Sequence, residues 1–428
     1  MVNQASAIGN RRPVKLADML SRVNTRQWWL IAILALTLMR LGMWWLILHD
    51  VPHVRDHADW YFYQGSDHAL FFQMAQSIAN NQPIASSVGA GLPLVMSLFI
   101  RMTNATVYDD ILPMIVIWNG IFLGVASVPV MAALALALTG KRAQAFCVAA
   151  VWTLLPYLLW VGFAIHPEAE GLRNAYVPRQ LWMTGLSDGP SLFFVALGML
   201  LALWGLRKQT PIQYALFLLS GLCMGFAATI RIHVLPIAAV VVFALLWTRQ
   251  WKSVWWIGVG MVIGFAPQFL YNSLSAGHAL NTPYLSGWLI FGDEDMSGLT
   301  PYGWIAFGPD NHIALKPTAL PFSPRSLLEN LILVAGRLPL LTLAAVAAAA
   351  TGLYAFIRMW RERGSFRAIV MFGAPVASFA LHVTTFIFPT DPVRFTLPAV
   401  SIGLPALIFM VFIAAGYLKT ILQKKGAA

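Results

Sequence analysis

Asp67 opens the run Asp67-His68-Ala69-Leu70-Phe71-Phe72-Gln73-Met74-Ala75-Gln76-Ser77-Ile78-Ala79, in which Leu70, Phe71, Met74 and Ile78 recur at helical spacing. The pattern predicts an amphipathic helix on a membrane surface, with Asp67 in its first turn. A carboxylate there either caps the helix, in competition with Ser66, or is held out for chemistry. Asp56 and Asp59 lie in the preceding polar stretch without a helical frame. Asp188 stands before Gly189-Pro190 at the head of an apolar run, where capping and a role in orienting a substrate are both open. Arg231, Arg337 and Arg394 fall near the ends of apolar runs, and a guanidinium at membrane depth is costly and normally finds an anion. A lipid-borne phosphate and ordinary headgroups are both open as that anion. His166, His233 and His382 recur at the same ends, where an imidazole either donates to a phosphate or simply packs. No two of these three histidines stand at i,i+4 or in a compact ligand pattern, so no metal site is expected of them.

These residues need a scaffold, and composition says which kind. Of the 428 residues 59% are hydrophobic and only 11% charged, with a mean hydropathy of +0.69, whereas soluble domains carry about a quarter charged residues. Such a chain requires lipid as solvent. Runs of about 20 apolar residues cross a bilayer as helices that satisfy their own backbone, and the alternation of a membrane barrel is absent. Apolar runs fall at 27–48, 110–139, 144–166, 183–206, 213–231, 234–249, 252–275, 326–358, 366–388 and 394–418. The expected fold is an all-α polytopic membrane protein of about ten transmembrane helices, one domain over 1–428. Cys147 and Cys223 lie inside apolar runs and read as small packing residues.

The net charge of +11 is spread over span ends and forms no nucleic-acid patch. Residues 1–26 are polar and basic. The clusters Lys141-Arg142, Arg207-Lys208, Arg249/Lys252, Arg358/Arg361/Arg363/Arg367 and Lys419/Lys424/Lys425 all land on the same side as that segment. The positive-inside rule then puts both termini in the cytoplasm of a multi-pass plasma (inner) membrane protein. The first apolar run is too long for a cleaved signal peptide. Of the 17 acidic residues only Asp18 and Glu362 fall on the cytoplasmic side, which marks the opposite face as the working surface. Two extracytoplasmic loops, 49–109 and 276–325, are long, and long ordered loops are usually functional. The first is expected to carry two interfacial helices, one from Asp67 and one over Gly91-Leu92-Pro93-Leu94-Val95-Met96-Ser97-Leu98-Phe99-Ile100, with a helix-start proline.

An acid opening a helix of the form D-x-x-x-[FY]-x-x-x-A-x-x-[IL], followed by a turn and a Gly/Pro-led apolar helix before the second span, resembles the GT-C superfamily of membrane glycosyltransferases. That superfamily includes protein O-mannosyltransferases and the bacterial aminoarabinose transferase of lipid A. Gly185-Leu186-Ser187-Asp188-Gly189-Pro190-Ser191-Leu192-Phe193 is similar to its acid-led fourth span, and Ala228-Thr229-Ile230-Arg231 to the basic end of a mid-chain span. Pro392-Val393-Arg394-Phe395-Thr396-Leu397-Pro398 is similar to the Arg-aromatic-x-x-Pro opening of a late span. These stations cover most of the chain in the right order.

The resemblance implies an inverting glycosyltransferase that takes mannose or a similar sugar from a polyprenyl-phosphate donor. Asp67 would be the general base, with Asp56 and Asp59 as alternatives, and Asp188 would orient acceptor or base. Arg394, Arg231, His382 and His233 would hold the donor phosphate. Aromatic residues of the second loop, Trp288, Tyr302 and Trp304 among them, would stack on sugar or anchor the loop at the interface. A glycolipid or cell-envelope glycan is the expected acceptor, and no cofactor is expected. Asp293-Glu294-Asp295 could take a divalent cation, as in the lipid-linked oligosaccharide transferases of the superfamily, but reads more plainly as a solvated charge run. The competing class is a transporter or flippase, whose usual repeated halves and Gly/Pro-broken helices at the midplane are not evident here.

Overall fold

A computed structural model describes residues 25–50, 66–84, 89–164, 182, 187–209, 211–277, 279, 305–307, 313–315, 324–337, 339–383 and 392–426. The first long helix, α1 (Thr25–Asp50), buries Ile33, Leu36, Arg40, Met43 and Trp44, a stripe at steps of three and four. Its other face leaves Leu30, Ile31, Leu34, Leu38 and Trp45 exposed, as a lipid-facing helix does. Two shorter helices follow, α2 (Ser66–Ala79) and α3 (Gly91–Thr103), where the periodicity of the first loop puts them. On α3, Leu92, Met96 and Ile100 are buried while Leu98 and Met102 are exposed.

The second span runs unbroken from α4 (Tyr108–Val116) through a π-helical stretch (Ile117–Val125) into α5 (Ala126–Thr139). Its start is set by Asp110, whose carboxylate accepts from the amides of Thr106 (3.0 Å) and Val107 (3.2 Å). Then come α6 (Arg142–Ala164), α7 (Asp188–Gly205), α8 (Ile212–Ile230), α9 (Leu235–Trp247) and α10 (Trp251–Ala276). Beyond the second long loop lie α11 (Pro324–Arg337), α12 (Pro339–Arg363), α13 (Ser365–Ala368), α14 (Ala374–Val383) and α15 (Pro392–Gly426), with a π-helical stretch joining α13 to α14.

Among the described residues seven helical segments are long and apolar enough to span a bilayer: Arg26–Leu46, Tyr108–Thr139, Asp188–Gly205, Ile212–Ile230, Trp251–Ser275, Ser365–Val383 and Thr396–Gln423. The helices α6, α9 and α12 fall where the sequence places the other three. The all-helical polytopic expectation is met, with one small exception: strands β1 (Ile305–Phe307) and β2 (Ile313–Leu315) pair antiparallel in the second loop.

The run 326–358, expected as one span, is two helices. Pro339 has no amide hydrogen and its ring would collide with the Ala335 carbonyl, so α11 ends at Arg337 and α12 starts afresh. At 14 residues, α11 is about 21 Å long and falls short of a bilayer core of about 30 Å.

Two features set the packing around the site. Gly221 and Gly225 on α8 face Gly260 and Gly264 on α10 in paired G-x-x-x-G motifs, so the two backbones touch. A Cβ at Gly225 would overlap the Met261 carbonyl and lie 3.0 Å from its Cα. Small residues let transmembrane helices approach in this way.

The second feature is Arg40, buried near the middle of α1 at 2% exposure. Its Nη1 donates to the Trp152 carbonyl at 3.0 Å, and its guanidinium carbon lies 5.6 Å from the centre of the Trp152 ring. Residue 156 is proline, so the Trp152 carbonyl has no helical i+4 donor. Arg40 supplies the missing donor from the neighbouring helix. Tyr157 returns the tie, its hydroxyl donating to the Met39 carbonyl at 2.7 Å.

Candidate active site

Asp188 is the first residue of α7, where the helix dipole favours a carboxylate and Pro190 fits the first turn. Ser191 Oγ donates back to the Asp188 carbonyl at 2.9 Å. Gly189 lies flat under the Trp182 indole, where a Cβ would come within 2.7 Å of the ring. Backbone and neighbour together hold the Asp188 carboxylate at the end of the bundle.

Arg231 lies at the same end for a simple reason of lengths. The helices α7 and α8 have 18 and 19 residues, run antiparallel and pack along their length, so the residue that follows α8 meets the residue that opens α7. Arg231 leaves the helix in an extended conformation (φ −154°, ψ 113°). Its Nη1 lies 2.5 Å from Asp188 Oδ1, with the two side chains only 8% and 18% exposed.

The chain then makes one 3-10 turn, Ile232–Val234, before Pro236 starts α9. That turn presents His233, whose ring stacks on His382 from the end of α14, centroids 4.8 Å apart and planes 20° apart. His382 is fully buried, and its Nδ1 lies 2.7 Å from the Ser378 carbonyl. A carbonyl only accepts, so Nδ1 carries the hydrogen and Nε2 is the acceptor nitrogen of the neutral ring. The structure thus brings together Asp188, Arg231, His233 and His382, four residues spread over 195 positions of sequence, at the ends of three spans.

The first-loop helices close on this cluster from the side. A Cβ at Gly91, the start of α3, would lie 2.8 Å from the Ile230 amide nitrogen, one residue before Arg231. Phe71, Phe72, Leu92, Met96, Tyr108 and Ile230 form one buried cluster. Asp67 is the second residue of α2, one turn before Phe71, and its side chain lies outside the described part. The adjacent His68 is fully buried, edge-on to Tyr108 with centroids 5.9 Å apart. The loop is also tied to the end of α10: the Ala90 amide donates to Gln268 Oε1 at 2.8 Å, Gln268 Nε2 donates to Asn272 Oδ1 at 2.9 Å, and the Tyr271 hydroxyl donates to the Ile84 carbonyl.

Arg394 is the third residue of α15 and Arg337 the last of α11, both with side chains outside the described part. Asp56, Asp59, His166, Trp288, Tyr302, Trp304 and the trio Asp293-Glu294-Asp295 lie outside the described residues. Among the described residues no group of three or more His, Cys, Asp or Glu side chains is arranged to hold a metal ion.

Asn330, not singled out by the sequence, belongs to the surroundings of the site. It is 2% exposed, and its Nδ2 donates at 2.8 Å to the carbonyl of Val383, next to His382. In the sequence its one mark is an amide side chain set among Leu327, Leu328, Leu331 and Ile332.

The fold and cluster define a polytopic helical membrane protein with a buried charged and imidazole-bearing site at one end of the bundle. No protein-family model and no curated protein matches the sequence. In fold the chain is similar to the crystal structure of the Archaeoglobus fulgidus oligosaccharyltransferase in its apo form, at 12% identity and a TM-score of 0.49, over 94% of this chain and 52% of that one. The chain therefore spans about half the length of that enzyme.

Proposed function

We propose that the protein is a GT-C-type glycosyltransferase that moves a sugar from a polyprenyl-phosphate donor to a hydroxyl of a glycolipid or cell-envelope glycan on the extracytoplasmic face of the inner membrane. The observation that carries this reading is the Asp188–Arg231 pair with the stacked His233 and His382, packed beside the acid-opened helix of the first loop. A buried guanidinium flanked by imidazoles at the end of a transmembrane bundle suits an anion delivered by lipid.

In the proposed reaction the acceptor oxygen attacks the anomeric carbon from the face opposite the phosphate. Its proton passes to the Asp67 carboxylate as the bond to the sugar forms. The anomeric C–O bond breaks, and its electron pair leaves on the phosphate oxygen, where Arg231 and Arg394 offset the growing charge. A single displacement of this kind inverts the anomeric centre. His233, its ring held by the stacked His382, orients the phosphate, and Trp288, Tyr302 and Trp304 are the proposed sugar-facing residues.

The test is transfer of radiolabelled sugar from a panel of synthetic polyprenyl-phosphate sugars by the purified protein and its Asp67→Asn variant, with host envelope lipids as acceptors. Transfer by the wild type alone supports enzyme class and base together. Full activity in Asp67→Asn removes the base assignment, and no transfer from any donor by intact protein turns the reading towards a transporter or flippase.

A further inference from the structure

We propose that the end of the bundle opposite the Asp188–Arg231 pair holds the phosphate of an anionic phospholipid, gripped by Arg207, Arg363 and Arg367. This site lies on a different face of the molecule and stands whether or not the protein transfers sugar.

The three arginines arrive from three helices. Arg207 follows α7 at the end away from Asp188, and its Nη2 donates at 2.8 Å to the Ala137 carbonyl, one of those left over where α5 ends. Gly140 turns the chain out of α5 in a left-handed conformation (φ +70°), and the guanidinium of Arg363, the last residue of α12, lies against it. A Cβ at Gly140 would come within 2.7 Å of Arg363 Nη1 and 3.0 Å of its Nη2. Arg367, on the one-turn helix α13, is half-buried and close enough to both Arg207 and Arg363 to be repelled by them.

Among the described residues Glu362 is the one acid at this end, and it is bonded to Arg358 at 2.7 Å. With that pair cancelled, Lys141, which also acts on Glu362, and the three arginines leave four positive charges. Helix dipoles do not offset them. The helices α5, α7 and α12 end at this face, but α6, α8 and α13 start there within a few residues, and opposite helix ends cancel. Cations that serve topology alone snorkel apart into water. Here Arg207 and Arg363 are instead held at the same turn of α5, with Arg367 beside them. Guanidiniums gathered against their own repulsion are best reconciled by a shared anion, and phosphate matches their planar forks.

The depth points to a lipid as the source of that phosphate. Exposed Trp204 stands three residues before Arg207, and Trp247 and Trp360, ring centres 6.0 Å apart, stand near the ends of α9 and α12. Tryptophans mark headgroup level in this way. Phe243, Leu353 and Ile357 are exposed one to three turns deeper on the same two helices, which is surface for acyl chains and of no use to a soluble anion. Basic pockets between spans on the cytoplasmic side suit such headgroups.

The experiment strips the purified protein of lipid in a nonionic detergent. It then measures binding of phosphatidylglycerol and phosphatidylcholine of equal chain length by native mass spectrometry. Both lipids carry phosphate, but choline cancels its charge. The wild type is expected to prefer phosphatidylglycerol by roughly tenfold or more, since one cation at the headgroup is worth about fivefold. Arg363→Gln and Arg367→Gln should each lower that preference about fivefold. Lys252→Gln, which removes a cation of the same face from the start of α10, should leave it unchanged. A wild type that binds the two lipids equally overturns the proposal, whether or not any variant folds. An equal fall in Lys252→Gln does so too, because the preference would then be diffuse surface charge. Water-soluble glycerol phosphate bound as tightly as phosphatidylglycerol would assign the cluster to a soluble anion and overturn the lipid.

Discussion

Arg40 and Pro156 should be energetically coupled although they lie on different helices. The Trp152 carbonyl has lost its helical donor to Pro156, and Arg40 Nη1 takes that place at 3.0 Å, its guanidinium 5.6 Å from the indole centre. Replacing Arg40 with Met keeps a long apolar stem but leaves the carbonyl buried and unpaired. A hydrogen bond from a charged donor is worth about 1.5–3 kcal/mol and a cation–π contact about 0.5–2 kcal/mol. Part of that loss returns because a buried charge is no longer desolvated, so Arg40→Met should cost about 2 kcal/mol. In Pro156→Ala the helix recovers its own amide hydrogen, the carbonyl no longer needs Arg40, and the same Arg40→Met change should cost only about 0.5 kcal/mol, the cation–π contact that remains to be lost. The expected coupling is about 1.5 kcal/mol, read from reversible denaturant unfolding in detergent of the wild type, the two single variants and the double variant. Additivity within about 0.5 kcal/mol would refute the idea that Arg40 repairs the proline break.

Glycines inside and outside the paired motifs should respond oppositely to one substitution: Gly258→Ala on α10, outside the motif and with nothing within 4 Å of its added Cβ, should stabilise by up to about 1 kcal/mol, whereas Gly225→Ala, which overlaps Met261, should destabilise by about 1–3 kcal/mol in the same unfolding assay. Equal effects at the two positions would contradict the close contact of α8 and α10. Asn330→Ala removes the donor to the Val383 carbonyl, worth about 1 kcal/mol, and should raise amide exchange at the end of α14 several-fold while global stability falls little. Treatment with a chelator should leave sugar transfer intact; loss that manganese or magnesium restores would bring Asp293 and Asp295 into the site.

How far the sequence revealed this arrangement depends on where each interaction is written. The helices α2 and α3 announce themselves locally, because apolar spacing and a leading acid or proline lie within one turn or two. The Asp188–Arg231 pair is 43 positions apart, yet it follows from local facts: two apolar helices of 18 and 19 residues joined by a short polar link fold back on one another, and the first residue of one then meets the residue after the other. The G-x-x-x-G pairs at 221/225 and 260/264 were equally visible, although nothing in them names the partner helix. Arg40 and Asn330 are different in kind. The need that Arg40 meets is created by a proline on another span, and the carbonyl that Asn330 binds ends a helix more than 50 positions away; no periodicity records either. Reading 326–358 as one helix hid Asn330 further, since only the break at Pro339 frees α11 to pack against the end of α14. Polar residues inside apolar runs were the legible trace in both cases. In lipid such a residue must find its partner across helices, so each one marks a contact whose other half a single run of sequence does not contain.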